Sequence, residues 1–172
     1  VHRDNLREIV DLTEKYSNEY LKLISGGPVK RVLIAYVSAY GYTKQAAEYI
    51  AQGIQETGNF DIDVADIEKI SSGDLELKLT SSDAILAGSP TINQNTLLPV
   101  YTLFALINPI RDKGKIAGAF GSYGWSGEAS KIILENFRNL KLKIFDETVS
   151  FKFSPGANKK DMLIEYGKRF AQ

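Results

Sequence analysis

Val32-Leu33-Ile34-Ala35-Tyr36-Val37, followed without a break by Ser38-Ala39-Tyr40-Gly41-Tyr42-Thr43, decides how this chain folds. The first six residues form one uninterrupted apolar run, as a strand buried on both faces requires. The next six are small, hydroxylated or aromatic, and Gly41 gives the backbone freedom to turn and to approach a ligand closely. A helix is predicted over Thr43 to Gln55, where Ala46, Ala47, Ile50, Ala51 and Ile54 recur on one side. A doubly buried strand that runs straight into an amphipathic helix opens a parallel α/β sheet.

Downstream the alternation continues. Phe60 to Ala65 alternates as a second strand, and residues 71 to 79 predict a short helix or turn. Asp83 to Gly88 is a third strand and Thr96 to Ile107 an apolar helix. Lys115 to Gly121 is a fourth strand carrying the small residues Ala117 and Gly118, and Glu128 to Leu140 the next helix. Thr148 to Phe153 is a fifth strand and Asn158 to Phe170 the closing helix. The fold class is therefore α/β: a doubly wound five-stranded parallel sheet with helices on both faces and right-handed crossovers.

Ahead of this unit, residues 4 to 24 predict an amphipathic helix, with Leu6, Ile9, Val10, Tyr16, Tyr20, Leu21 and Ile24 at helical spacing. Asn5 and Glu8 resemble a capping box, and Ser25-Gly26-Gly27-Pro28 stops the helix. Residues 1 to 28 are thus read as a connector helix and linker, and 29 to 172 as the main domain. The first residue is Val, which points to a processed start or a piece of something longer.

Composition removes several kinds of chemistry. Lys+Arg and Asp+Glu both count 21, so no basic surface for nucleic acid is expected. Cysteine is absent, which excludes disulfides, iron–sulfur clusters and thiol catalysis within the chain. The only histidine is His2, so neither a histidine-based triad nor a multi-histidine metal site is expected. No apolar run is long enough to span a bilayer, and a cytoplasmic setting with no membrane partner is the expectation. Redox chemistry, if present, must come from a bound organic group or from another chain.

Ligands of open α/β sheets bind outside the carboxyl ends of the strands, so the loops after strands one, three and four carry the functional reading. In Ser38-Ala39-Tyr40-Gly41-Tyr42-Thr43, hydroxyls and the N-terminus of the first helix suit one phosphate. The loop lacks both the Gly-Lys-Ser/Thr ending of a Walker loop and the Gly-x-Gly-x-x-Gly dinucleotide spacing. Read alone, it is equally a polar turn with a Ser/Thr cap. Ser89-Pro90-Thr91-Ile92-Asn93 offers Thr91 and Asn93 to the edge of a flat heterocycle, although Gly, Pro and Asn are also the usual residues of a tight loop. Ser122-Tyr123-Gly124-Trp125-Ser126-Gly127 puts large aromatics on a glycine-rich loop, where they suit stacking on a planar ring better than core packing. The alternative there is a Trp125 that covers a neighbouring helix. Taken together, one phosphate cradle and one aromatic wall describe a mononucleotide with a flat ring, and FMN fits better than a dinucleotide.

At these residues the chain resembles the flavodoxin-like FMN domain of the flavodiiron, or A-type, flavoproteins. Phe120-Gly121-Ser122-Tyr123-Gly124-Trp125-Ser126-Gly127 carries the most specific part of the likeness, and Tyr42 stands where that family often has Asn. The resemblance spans about residues 30 to 172 and implies an FMN-binding electron-transfer domain. It implies a separate diiron domain as acceptor and a rubredoxin-like or NAD(P)H-linked donor, with a homodimer possible. The diiron ligands have no counterpart in this sequence, so reduction of oxygen or nitric oxide by this chain alone is not expected. No side chain is expected to act as acid, base, nucleophile or metal ligand. Other readings of the same scaffold are a free-standing flavodoxin-type carrier, an NAD(P)H-dependent flavin reductase, and a phosphoacceptor domain. The last would want an Asp where Gly88-Ser89-Pro90 stands.

Overall fold

Apolar strands that must be covered on both faces recruit helices to both, and the computed structural model shows this arrangement across the residues it describes, 9–17 and 30–172. A helix over 9–17 (α1) comes first. The sheet and its helices then follow in the order β1 (Lys30–Tyr36), α2 (Tyr42–Thr57), β2 (Phe60–Asp66), α3 (Ser72–Ser81), β3 (Ala84–Pro90), α4 (Leu98–Leu106), β4 (Ile116–Tyr123), α5 (Ala129–Asn139), β5 (Lys143–Lys152) and α6 (Gly156–Phe170). All pairings are parallel, in the order β2-β1-β3-β4-β5.

The period-two alternation of β1 divides the interior into two cores. Val32, Ile34 and Tyr36 meet α2 and α6, through Ile50, Ile54, Leu163 and Phe170. Leu33, Ala35 and Val37 meet α3, α4 and α5, through Leu79, Leu103, Ile133 and Phe137. Helices α2 and α6 touch backbone to backbone. A Cβ placed on Gly53 would fall on the Ile164 carbonyl, and one on Gly167 would fall on the Ile50 carbonyl.

In the turn between α4 and β4, the Asp112 carboxylate is fully buried. It accepts from Arg111 Nη2 at 2.8 Å and from the Asn108 amide at 2.9 Å, and pairs with Lys115 Nζ at 2.9 Å. Burial pushes this carboxyl's pKa up, but the Arg111 and Lys115 bonds and the Asn108 amide outweigh it and hold the group below its ordinary value.

Several elements differ from the sequence reading. β3 runs on to Pro90 and β4 to Tyr123, so Ser89, Pro90, Ser122 and Tyr123 are strand residues rather than loop residues. Pairing decides this, because Ser89 faces Gly121 and Pro90 faces Ser122 in the middle of the sheet. β5 starts at Lys143, not Thr148. Its first half is charged and lies on the sheet edge, where solvent tolerates polar residues. Between Ala117 and Ala119 of β4 the partner moves from Ile144 to Thr148, so β5 bulges there. The buried Tyr166 hydroxyl holds the bulge, 3.0 Å from the Ala119 carbonyl oxygen and 3.2 Å from that of Glu147. Residues 71–79 resolve as helix, with the Ser71 hydroxyl capping it by accepting from the Asp74 amide at 3.1 Å. Of the predicted opening helix, 9–17 is helical. The Asn5–Glu8 box and the Ser25–Pro28 stop lie outside the described residues.

Candidate functional site

Chain leaving β1 turns to α2 on one face, and chain leaving β3 turns to α4 on the other. Neighbouring strands whose exits diverge open a crevice at their carboxyl ends, the switch point where open α/β sheets of this order bind their ligands.

The first wall of the crevice is backbone. Gly41 stands at the N-cap of α2 with φ 83°, a left-handed value open to glycine, and has no side chain with which to cap the helix. Among the described residues, none of the amides from Ser38 to Thr43 finds an acceptor; the next amide, Lys44, reaches Ser38 Oγ at 3.4 Å. Six successive N–H groups without an internal acceptor lead into the first turn of α2, where the positive end of the helix dipole favours an anion. A Cβ on Gly41 would meet nothing within 4 Å, so the space before this loop is open. Tyr40 is exposed, with its ring 6.4 Å from that of Tyr42, and Ala39 is exposed beside them.

Several hydroxyls of these loops already have partners within the protein. Thr43 is buried, and its Oγ1 lies 2.9 Å from the buried Ser122 Oγ. Ser89 Oγ donates to the Pro90 carbonyl at 2.9 Å and accepts from the Leu97 amide at 3.1 Å. Thr91 Oγ1 accepts from the Ala129 amide at 3.0 Å and so caps α5 from outside. These groups hold the loops together. Ser122 is their common point: its hydroxyl meets Thr43 and its carbonyl accepts from the Thr91 amide at 2.8 Å. The exits of β1, β3 and β4 are thereby tied to one residue.

After β3, Ile92 and Asn95 exchange backbone hydrogen bonds of 3.0 Å each way, with Asn93 at φ 52° and Gln94 at φ 59°. That is a two-residue turn with both central residues left-handed, which asparagine tolerates. It projects Ile92 and Asn93 into solvent. Asn95 Oδ1 anchors its far side by accepting from the Thr96 amide and the Tyr101 hydroxyl.

After β4, the Tyr123 ring packs where Gly127 has no side chain; a Cβ there would be 3.1 Å from the ring. Trp125 is 95% exposed, so it does not cover a neighbouring helix. A large indole left in water on a glycine loop contributes nothing to the core and is free to cover a ligand. Trp125, Ser126 and Glu128 line, with Lys131, Thr148 and Ser150, an open cavity of about 480 Å³ on the α5–β5 side of this loop. Glu128 Oε2 is buried with no partner among the described residues. Sequence reading missed Glu128 and Phe153, whose ring lies against Gly124. Nothing in Phe153-Ser154-Pro155-Gly156 beyond a turn composition signals that contact.

A parallel sheet of this order, a row of amides without internal acceptors at its switch point and an exposed indole on the loop after β4 are the features of a flavodoxin-like domain. The comparisons place it more closely: the flavodoxin family pattern matches residues 34–167, and the chain belongs to that family. It is 38% identical over 144 residues to the flavo-diiron protein FprA2 of Clostridium acetobutylicum, covering 83% of this chain and 36% of that protein. Among solved structures, it is similar to a flavodoxin from the domain Archaea, with 33% identity, a TM-score of 0.71 and coverage of 82% and 96%. It also matches the Flv1 flavodiiron core from Synechocystis, with 28% identity, a TM-score of 0.74 and coverage of 95% and 40%. The chain spans about a third of the length of the curated relatives it matches. The cofactor of this family is FMN, and the donor surface, the single phosphate position and the exposed indole fit it.

Proposed function

We propose that the chain is an FMN-binding electron-transfer domain that serves a flavodiiron-type protein. The run of unpaired amides from Ser38 to Thr43, tied through Ser122 to the Trp125 loop, is the observation that carries this reading.

The amides of Ser38, Ala39, Tyr40, Gly41, Tyr42 and Thr43 hold the phosphate, which needs no lysine or arginine because the helix terminus supplies the field. Pro90, Thr91, Ile92 and Asn93 border the ribityl chain and ring edge. The segment from Ser122 to Gly127 borders the ring face, with Trp125 stacked on it. Bound there, FMN supplies the one- and two-electron chemistry. Thr43, Ser89, Thr91 and Ser122 act earlier in the hierarchy, fixing the loops so that little ordering remains to be done on binding. Tyr40 and Ile92, exposed at the rim, limit water access to the flavin edge.

Partners follow from the resemblance. The acceptor is a diiron domain of the kind the larger relatives carry, and the donor is a rubredoxin-like or NAD(P)H-linked protein. A homodimer and a cytoplasmic setting fit this role. Among the described residues no helix is long and apolar enough to cross a membrane, and no group of three or more His, Cys, Asp or Glu could hold a metal ion.

The test is spectroscopic. Protein reconstituted with FMN and freed of excess should be yellow with one flavin per chain. NADH or NADPH alone should leave the colour unchanged over minutes. Rapid bleaching would instead make the chain a reductase in its own right, and colourless protein would end the proposal.

A further inference from the structure

One residue beside the site is held in a backbone conformation that its side chain disfavours. Phe153, just after β5, has φ 56°, in the left-handed region that bulky side chains rarely occupy. Its amide donates to the Tyr123 carbonyl at 2.7 Å, carrying the β4–β5 hydrogen bonding one residue beyond β5, opposite the last residue of β4. Its ring covers Gly124, and a Cβ there would be 3.2 Å from Phe153 Cε1. The residue is nonetheless 56% exposed, with Lys152 Nζ 5.5 Å from the ring centroid.

A half-exposed phenylalanine adds little to a core, and Gly or Asn would adopt this backbone more cheaply. What the ring does is local. Tyr123 fills the space at Gly127 and Phe153 fills the space at Gly124, so the loop is gripped by an aromatic ring at each of those glycines. Trp125 lies between these two points. Glycines leave a loop free to sample many shapes, and two rings seated on them remove that freedom.

We propose that Phe153 is a positioning residue for flavin binding. By clamping Gly124, it fixes the backbone that carries Trp125 and keeps the indole ready to stack. This rests on the FMN reading of the site. Phe153 itself does not touch the flavin; it acts through the loop.

Phe153→Asn tests it, because asparagine keeps the left-handed backbone while the ring is lost. Trp125 is the only tryptophan, so its fluorescence reports the loop without interference. In flavin-free protein, the Trp125 anisotropy should fall in Phe153→Asn. The FMN dissociation constant should rise roughly tenfold, the cost of ordering one large side chain on binding. The melting temperature of the flavin-free protein should stay level or rise. Phe153→Tyr keeps the ring and should restore both anisotropy and affinity. Unchanged anisotropy and affinity in Phe153→Asn would overturn the proposal. So would a lower melting temperature with unchanged affinity, which would make the ring mere scaffold. If wild type takes up no FMN while the anisotropy still falls in the variant, the clamp stands and the flavin reading fails.

Discussion

Replacing Trp125 with alanine separates binding from folding, because the indole is exposed and its removal touches no core. In the structure the indole is 95% exposed, so its removal takes away almost no buried area and should leave the stability of the flavin-free protein unchanged. With flavin stacked on it, one face of the indole leaves water. A large aromatic side chain buries about 200 Å² when fully covered, so one face contributes about 100 Å². At about 25 cal/mol per Å², that is about 2.5 kcal/mol. Offset stacking adds about 1 kcal/mol. Ordering the side chain costs about 1 kcal/mol in return. The net of about 2.5 kcal/mol corresponds to a dissociation constant roughly 70-fold weaker. The assay is titration of Trp125→Ala with FMN, followed by flavin fluorescence, beside a thermal melt of both proteins without flavin. Affinity within a factor of about two of wild type would refute the stacking argument. A melting temperature several degrees lower would show instead that the indole packs on the protein.

Three further changes probe the anchoring of the site and the fold beneath it. Thr43→Val strands the buried Ser122 hydroxyl and should cost about 1–2 kcal/mol in a urea melt, with Thr43→Ser restoring it. Gly53→Ala drives a methyl group into the Ile164 carbonyl, a backbone atom that cannot rotate away, and should destabilise by about 3 kcal/mol. Asp112→Asn removes the charge that balances Arg111 and Lys115 and should cost about 3 kcal/mol at neutral pH. Because the folded-state pKa of Asp112 is depressed, its contribution is complete above about pH 4 and is lost as the pH falls through the lower folded value. Denaturation curves between neutral and acid pH should therefore converge for wild type and Asp112→Asn at the acid end.

The fold was legible wherever burial alone shaped the sequence. Val32 to Val37 must be apolar throughout because helices cover both faces of β1, and that leaves no ambiguity of period. The edge of the sheet was less legible. Lys143 to Glu147 reads as polar because β5 needs only one buried side, and its bulge depends on Tyr166, far along the chain. Ser89 and Pro90 read as loop because neither favours a strand, yet pairing with Gly121 and Ser122 carries β3 through them.

The site divides in the same way. Gly41 and Trp125 were visible because their chemistry is unusual where they stand. The hydroxyls carry contacts the sequence does not mark: Thr43 Oγ1 meets Ser122 Oγ, Ser89 Oγ donates to the Pro90 carbonyl, and Thr91 Oγ1 accepts from the Ala129 amide. The proposed phosphate donors are backbone amides without an internal acceptor, which every residue carries and no sequence marks. Phe153 was invisible for a related reason, since its left-handed backbone comes from its tertiary setting and not from its residue type.

The direct test of the amide cradle compares FMN with riboflavin, the same ring and ribityl chain without the phosphate. Titrated into flavin-free protein and followed by quenching of Trp125, FMN should bind one to one. It should bind at least about a hundredfold more tightly than riboflavin, the worth of two or more charge-assisted hydrogen bonds. Equal affinity for the two, or no quenching by either, would contradict a phosphate seated on the free N–H groups of residues 38–43.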